Sequence, residues 1–275
     1  MSDSALGVWM LELHLRLFEA AYLSIGVGWN TRNVQSSFWR FYRNRCDGAS
    51  LELDDGDYPL DGGRLYFVPA GVHFHCRNAA PTEHFYVHFD VIGLSSVAVR
   101  ELFGGPVCLP PSPALEETVD RLSPDLADQG ESGVALRCRL LAVLYESFAS
   151  YFASLPPEQM ARSVEQAAAL EPVQPAIRFI EAHLARTIPN AELAALCCLS
   201  EDYFIRRFRA CVGQSPAQYV QDRRVTRAAQ RLLFTADTIE RIAEETGFGS
   251  RSYFSRVFAR QTGVSPAAYR KASRV

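Results

Sequence analysis

From Trp29 to Asp90 the chain reads as short runs of aromatic and β-branched residues: "SSFWRFYRNR", "ASLEL", "GRLYFVP" and "EHFYVHFDV". Turn clusters such as "DDGDYPLDGG" and "RNAAPTE" separate them. Strands at this spacing with no helical pattern between them predict a small barrel or sandwich. Upstream, residues 1–28 hold a weakly amphipathic segment and then "AAYLSIGVGW", a candidate first strand. A Pro/Gly-rich exit over 91–112, "GGPVCLPPSP", ends the β texture. The period then becomes helical. Leu115, Val119 and Leu122 precede a break at "SPDLADQGESG", and a longer helix follows with Leu140, Leu144, Phe148 and Phe152 at four-residue steps. With Leu141 and Leu155 beside them, that stripe is wide enough to pack on the barrel and offer a seam to a second chain. The next stretch, 156–174, is polar, Ala-rich and punctuated by Pro156, Pro157 and Pro172, and predicts a linker.

Helical patterns fill the rest. Ile177, Ile180 and Leu184 mark an amphipathic helix over 176–186, and Asn190 is placed to cap a helix over 191–198. Ser200 opens a third helix, and Pro216 starts a long one reaching Phe234 along Tyr219, Val220, Ala228, Leu232 and Leu233. Asp237 or Thr238 caps the next, whose Ile239, Ile242 and Ala243 point inward. Gly247 and Gly249 then build a tight turn, and Ser250 opens a helix with Phe254, Val257 and Phe258 inside. Arg251, Ser252, Ser255, Arg256 and Arg260 lie outside. Helix, glycine turn and helix with an Arg/Ser outer face is the arrangement of a helix-turn-helix.

An internal repeat strengthens this reading. "YFIRRFRACVGQSPAQYV" from Tyr203 and "YFSRVFARQTGVSPAAYR" from Tyr253 share Tyr, Phe, Arg and Phe in the helix. They share Gly213/Gly263, Ser215/Ser265, Pro216/Pro266, Ala217/Ala267 and Tyr219/Tyr269 after it. The preceding helices match as Leu193-Ala194 against Ile242-Ala243, at a spacing one residue shorter. Two such motifs make a bipartite reader whose second helices enter successive major grooves, roughly 34 Å apart.

Over 175–270 the chain resembles the AraC/XylS family of bacterial transcription regulators, carried by "GFGSRSYFSRVFARQTGVSP", the following "AAYR" and the degenerate upstream copy. The first copy departs from the pattern: "CCLSEDYF" puts Glu201 and Asp202 where the family usually has neutral or basic groove-facing residues. "GRLYFVPAGVHFHCRN" resembles half of a cupin barrel, with Gly63, Pro69, Gly71 and Asn78 at the spacing of the second cupin motif. The expected fold is α+β: an N-terminal cupin-like β-barrel over 1–112 and flanking helices over 113–155. After the linker comes an all-α DNA-binding domain over 175–275, with helix-turn-helix motifs at 176–213 and 238–263. The resemblance implies a transcription activator with a small-molecule effector, RNA polymerase as partner and a homodimer joined through the flanking helices.

Charge supports the division. Residues 1–170 carry 12 basic and 21 acidic groups, residues 171–275 carry 16 and 10, so only the C-terminal part suits a polyanion. Seven scattered cysteines, with Cys197 and Cys198 adjacent and no C-x-x-C pair, fit thiols in a reducing compartment better than a disulfide framework. The apolar run from Met10 is interrupted by Glu12, His14, Arg16 and Glu19, so no signal peptide is expected, and no run of apolar residues is long enough for a membrane span. The expected location is cytoplasmic.

The candidate DNA-contacting residues are Ser200, Asp202, Ile205, Arg206 and Arg209 in the first copy and Ser250, Arg251, Ser252, Ser255, Arg256 and Arg260 in the second. Arg206 and Arg256 occupy equivalent places, and an arginine fork bonds guanine O6 and N7 together. Ile205 offers an apolar contact to a thymine methyl, and Asp202 accepts from cytosine N4 or repels phosphate. Arg223, Arg224 and Arg227, with Arg209 and Arg260, are expected on phosphates or a solvated face. Candidate effector-lining residues are Trp39, Tyr42, Arg43, Tyr66, His73, His75, Tyr86 and His88, an aromatic and polar set suited to a sugar or a small hydroxylated or anionic metabolite. His73, His75, His84 and His88 raise the question of a metal. Against one, Phe74 stands where the cupin ligand would be, and no first cupin motif lies upstream of Gly63. No cofactor is expected, leaving as alternatives a metal-dependent cupin enzyme with a DNA-binding tail and a ligand-independent DNA-binding protein.

Overall fold

The computed structural model describes residues 13–272 apart from 33, 37, 93, 95 and 128–132. The chain divides into two units, one of residues 12–94 with 99–160, the other essentially 161–275.

The N-terminal unit holds two antiparallel sheets. Its strands are β1 (His14–Ile25), β2 (Val34–Gln35), β3 (Trp39–Asn44), β4 (Ala49–Leu53), β5 (Gly56–Leu60), β6 (Leu65–Val68), β7 (His73–Asn78), β8 (Thr82–Ile92) and β9 (Val107–Cys108). One sheet runs β1-β8-β3-β6-β9, the other β2-β7-β4-β5. Residues of both enclose a shared core of Tyr42, Leu51, Leu60, Tyr66, Val68, Phe74 and Cys76. The register lines up side chains in rows across the five-stranded sheet. Glu19, His88, Arg40 and Val68 form one row; Ala21, Tyr86, Tyr42 and Tyr66 form the next. Because side chains alternate, Trp39, Phe41, Phe67, Phe85, Val87 and Phe89 share the opposite face.

A bulge lets β1 take part in both faces. Leu17 pairs with Phe89 while Glu19 pairs with His88, so the extra residue Phe18 shifts the alternation by one. Leu17 therefore joins the apolar outer face, and Glu19 joins the inner row beside His88.

The outer face is covered by helix. After α1 (Ser96–Phe103) come α2 (Pro113–Ala127) and α3 (Val134–Ser154). The four-residue stripe of α3, Leu140, Leu144, Phe148 and Phe152, is buried as its period predicts. Phe148 stacks on Phe67 at 4.4 Å between ring centroids and meets Trp39 at 5.7 Å. Burying a ring of this size contributes about 1.5–3 kcal/mol.

Over 156–174, where the pattern predicts a linker, the chain is helical from Pro157 onward. Pro157–Leu170 forms α4, a 3₁₀ turn follows at Glu171–Val173, and Leu170 and Val173 belong to the core of the C-terminal unit. Prolines at helix starts misled the pattern. Pro157 opens α4, and Pro175 lies in the first turn of α5 (Gln174–Ala182), where a missing N–H costs nothing.

The C-terminal unit continues with α6 (Asn190–Leu196), α7 (Glu201–Val212), α8 (Pro216–Phe234), α9 (Ile239–Glu245), α10 (Arg251–Thr262) and α11 (Pro266–Ala272). It has two cores. Ala176, Ile180, Leu184, Leu193, Ala194, Phe204, Phe208 and Val212 build the first. Ile242, Ala243, Phe248, Phe254, Val257, Phe258 and Tyr269 build the second. The long helix α8 is a wall of both, giving Val220 to the first and Val225, Ala228, Ala229 and Leu232 to the second. Asn190 is not a cap: Pro189 holds that place without a side-chain bond, and α5 stops at Ala182, short of 186. Among the described residues no helix is long and apolar enough to cross a membrane.

Candidate functional site

Each second helix of the repeat starts and stops by the same local rules. Ser250 accepts the Tyr253 N–H at 3.3 Å as a side-chain N-cap, and Thr238 does the same for α9 through Arg241 at 3.2 Å. Ser200 holds the N-cap position of α7 without a side-chain bond. Gly213 and Gly263 end α7 and α10 in the left-handed region at φ 82° and 77°. The turn before each helix needs that region too. Gly247 supplies it at φ 83° in the second motif; in the first, Cys198 takes the matching place at φ 55°, the one non-glycine residue with positive φ among those described.

These ends aim one face of each helix outward. Phe204 and Phe208, like Phe254, Val257 and Phe258, are buried, so the opposite side of each helix faces away. Asp202, Arg206 and Arg209 are exposed on α7, and Ser252, Arg256 and Arg260 on α10. Among the described residues no ion pair engages Arg206, Arg209, Arg256 or Arg260, and only the Tyr253 ring, 5.8 Å from Arg256, approaches them. Four guanidinium groups, of which Arg206 and Arg256 stand at matched places, therefore remain available to an anion.

Other candidates are less free. Arg251 pairs with Glu240 of α9. Ile205 is half-buried against the first core and Ser255 is half-buried. Arg223 and Arg224 are corrected from phosphate candidates to structural groups. Arg223 is ion-paired to the nearly buried Glu181 at 2.5 Å, and Arg224 donates to the carbonyls of Leu184 at 2.9 Å and Arg186 at 2.6 Å. Tyr203 and Tyr253, not among the candidates, are exposed beside them at 48% and 42%. Their identity across the repeat, at positions the helical period keeps out of the core, was the available signal.

In the N-terminal unit the strand faces sort the effector candidates. Tyr42, Tyr66, Tyr86 and His88 face the interior; Trp39 and Arg43 do not. Trp39 packs on Phe67, Phe89, Phe103 and Phe148, and Arg43 pairs with Asp120 of α2. His73 and His75 also lie away from the interior, since Phe74 and Cys76 between and beside them fill it. The four histidines are thus split between two faces, and among the described residues no group of three or more His, Cys, Asp or Glu side chains is arranged to hold a metal. The inner row holds two residues not among the candidates, Arg40 and Glu19. Tyr86 donates to Glu19 at 3.1 Å, and His88 Nδ1 lies 3.4 Å from the same carboxylate. His84 is 2.7 Å from Asn44 Oδ1. Burial lowers the pKa of His84 to about 3 and that of His88 to about 4, so both are neutral at neutral pH.

A family profile described as a helix-turn-helix domain matches residues 193–272. The chain is 32% identical over 93 residues to the MmsAB operon regulatory protein of Pseudomonas aeruginosa, which is 34% of this chain and 30% of that protein. It is 34% identical over 99 residues to a putative AraC-like transcription regulator of Streptomyces antibioticus, 36% of this chain and 33% of the relative. The chain thus spans about a third of the length of the curated relatives it matches. Among solved structures, ToxT from Vibrio cholerae superposes over 95% of this chain and 98% of its own with a TM-score of 0.51 at 12% identity, a likeness of fold. Two matched helix-turn-helix motifs, sharing one long helix and aligning with these regulators, make the C-terminal third of this chain a DNA-binding domain of the AraC type.

Proposed function

We propose that the whole chain is a transcription regulator that grips promoter DNA with α7 and α10 and adjusts that grip to a small molecule held in the N-terminal unit. The carrying observation is the set of unneutralised arginines on the outer faces of two helices braced by α8, with Arg206 and Arg256 at matched places. Arg206 and Arg256 read bases; Arg209, Arg260 and the helix N-termini at Ser200 and Ser250 meet phosphates. Asp202 and Ser252 tune sequence from the exposed faces. Activation through RNA polymerase, and a homodimer joined through the N-terminal unit, complete the proposal. A ligand shifts DNA occupancy only by binding the two arrangements of the protein with different affinity.

The test is selection of bound duplexes from a random pool, with and without a cell metabolite extract. Two short conserved blocks about one helical turn apart are expected, and the extract should change their recovery. A selected pool without sequence preference would overturn the DNA reading; preference indifferent to every extract fraction would remove the sensor.

A further inference from the structure

The interior of the N-terminal unit carries a buried guanidinium that, among the described residues, forms no ion pair. Arg40 is only 6% exposed. Among the described residues no carboxylate lies within 4.0 Å of its guanidinium. Its hydrogen-bond partner is the hydroxyl of Ser36, and the ring faces of Phe38 at 4.6 Å and Phe74 at 5.2 Å lie against it. A guanidinium has five N–H donors in a planar fork. Among the described residues that one hydroxyl is the only acceptor, which leaves most of the fork unmatched, and a charge taken out of water this way is costly to keep.

The surroundings explain what would complete it. Across the sheet, Arg40 pairs with His88, and Glu19 lies one strand further, its oxygens engaged by Tyr86 and His88. Asp90, the next inward residue of β8, forms no ion pair with Arg40. Tyr42 follows Arg40 on the same face, with Tyr86 opposite it. Besides the Glu19 and Asp90 carboxylates, the polar groups of this face are hydroxyls and imidazoles, the imidazoles of His84 and His88 held neutral by burial. Glu19 and Tyr86 are part-exposed, so this edge of the row is open to solvent while Arg40 sits deep.

We propose that the interior binds a small organic carboxylate, with the Arg40 fork as its anchor, Phe38 and Phe74 against the guanidinium faces, and the Tyr42 and Tyr86 hydroxyls around the ligand body. This rests on the sensor proposal and gives that sensor a ligand class. Arginine suits the role because its two parallel N–H groups match both oxygens of a carboxylate.

The experiment is calorimetric titration of the full chain, free of DNA and in a chloride buffer, with hexanoate and phenylacetate and with their primary amides. At least one acid should bind, with its uncharged amide about 30-fold weaker or more. Arg40→Met should lose acid binding by a similar factor. Without ligand, the same variant should melt above the parent protein, because it removes an unanswered charge. Arg40→Lys, which keeps charge but not the fork, should bind the acid with intermediate affinity. Binding of neither acid, or equal binding of acid and amide, overturns the proposal. So does an Arg40→Met protein that melts lower or fails to fold, which would make Arg40 a structural group. Acid binding that leaves recovery of the selected DNA unchanged would instead refute the sensor reading and keep the ligand.

Discussion

Gly247 makes a prediction that can be worked through from geometry. It begins the turn between α9 and α10 at φ 83°, and a Cβ added there would overlap the Leu184 carbonyl oxygen and lie 2.9 Å from Cζ and Nε of Arg224. Arg224 donates to that same carbonyl and to Arg186, so the turn of the second motif presses on the bond tying α8 to the first. Gly247→Ala would incur the left-handed cost of roughly 1–2 kcal/mol. It would also strain a charge-assisted bond worth about 1.5–3 kcal/mol. The expected loss is about 3–5 kcal/mol in urea unfolding of the full chain, followed by far-ultraviolet circular dichroism. Cys198 is the internal control. It holds the same place in the first motif with a side chain at φ 55°, so Cys198→Gly should stabilise by about 1 kcal/mol. A Gly247→Ala loss no larger than the left-handed cost would show that the close approach to Leu184 is not made, and the reasoning would fail.

Other outcomes follow from the same contacts. Phe148→Ala, which removes the ring stacked on Phe67, should cost about 3–5 kcal/mol in the N-terminal unit's unfolding transition; less than 1 kcal/mol would mean α3 does not cover that sheet. Replacing both Arg206 and Arg256 by alanine should relax specificity at one base position per half-site, by about 1–3 kcal/mol each in competition binding, and unchanged preference would dismiss them as base readers. Burial depresses the folded pKa values of His84 and His88 to about 3 and about 4, below the ordinary 6.5. Between those values the unfolded chain holds the protons, so their contribution is present above pH 6.5 and lost as pH falls toward 4. The slope is about 1.4 kcal/mol per pH unit for each histidine. A urea midpoint constant from pH 6.5 to 4.5 would contradict this, and His84→Gln should remove part of the slope.

The C-terminal unit was legible in the sequence because its signals are redundant. Glycines, serine caps and buried phenylalanines recur fifty residues apart, so an error in one copy is corrected by the other. The effector candidates were harder. On β3 and β8 both faces carry large rings, Trp39, Phe41, Phe85 and Phe89 on one and Tyr42 and Tyr86 on the other, so period-2 alternation does not say which is the interior. Nothing in the pattern therefore separates Arg43 from Arg40, although Asp120 holds Arg43 on the outer face. The helix over Pro157–Leu170 was hidden because prolines read as punctuation when they stand at helix starts.

The extra residue in β1 also bears on how this strand tolerates change. Phe18 sets the phase of everything on either side of it. Deleting it would make Leu17 and Glu19 ordinary neighbours on opposite faces, still opposite Phe89 and His88, so the strand would lose the bulge and keep its pattern. Drawing Phe18 into the ladder would instead push one end of the strand to the other face, taking Glu19 from His88 or turning Leu17 inward. The polarity of the inner row thus depends on one residue staying out of the pairing, and a strand one residue shorter is the conservative variant.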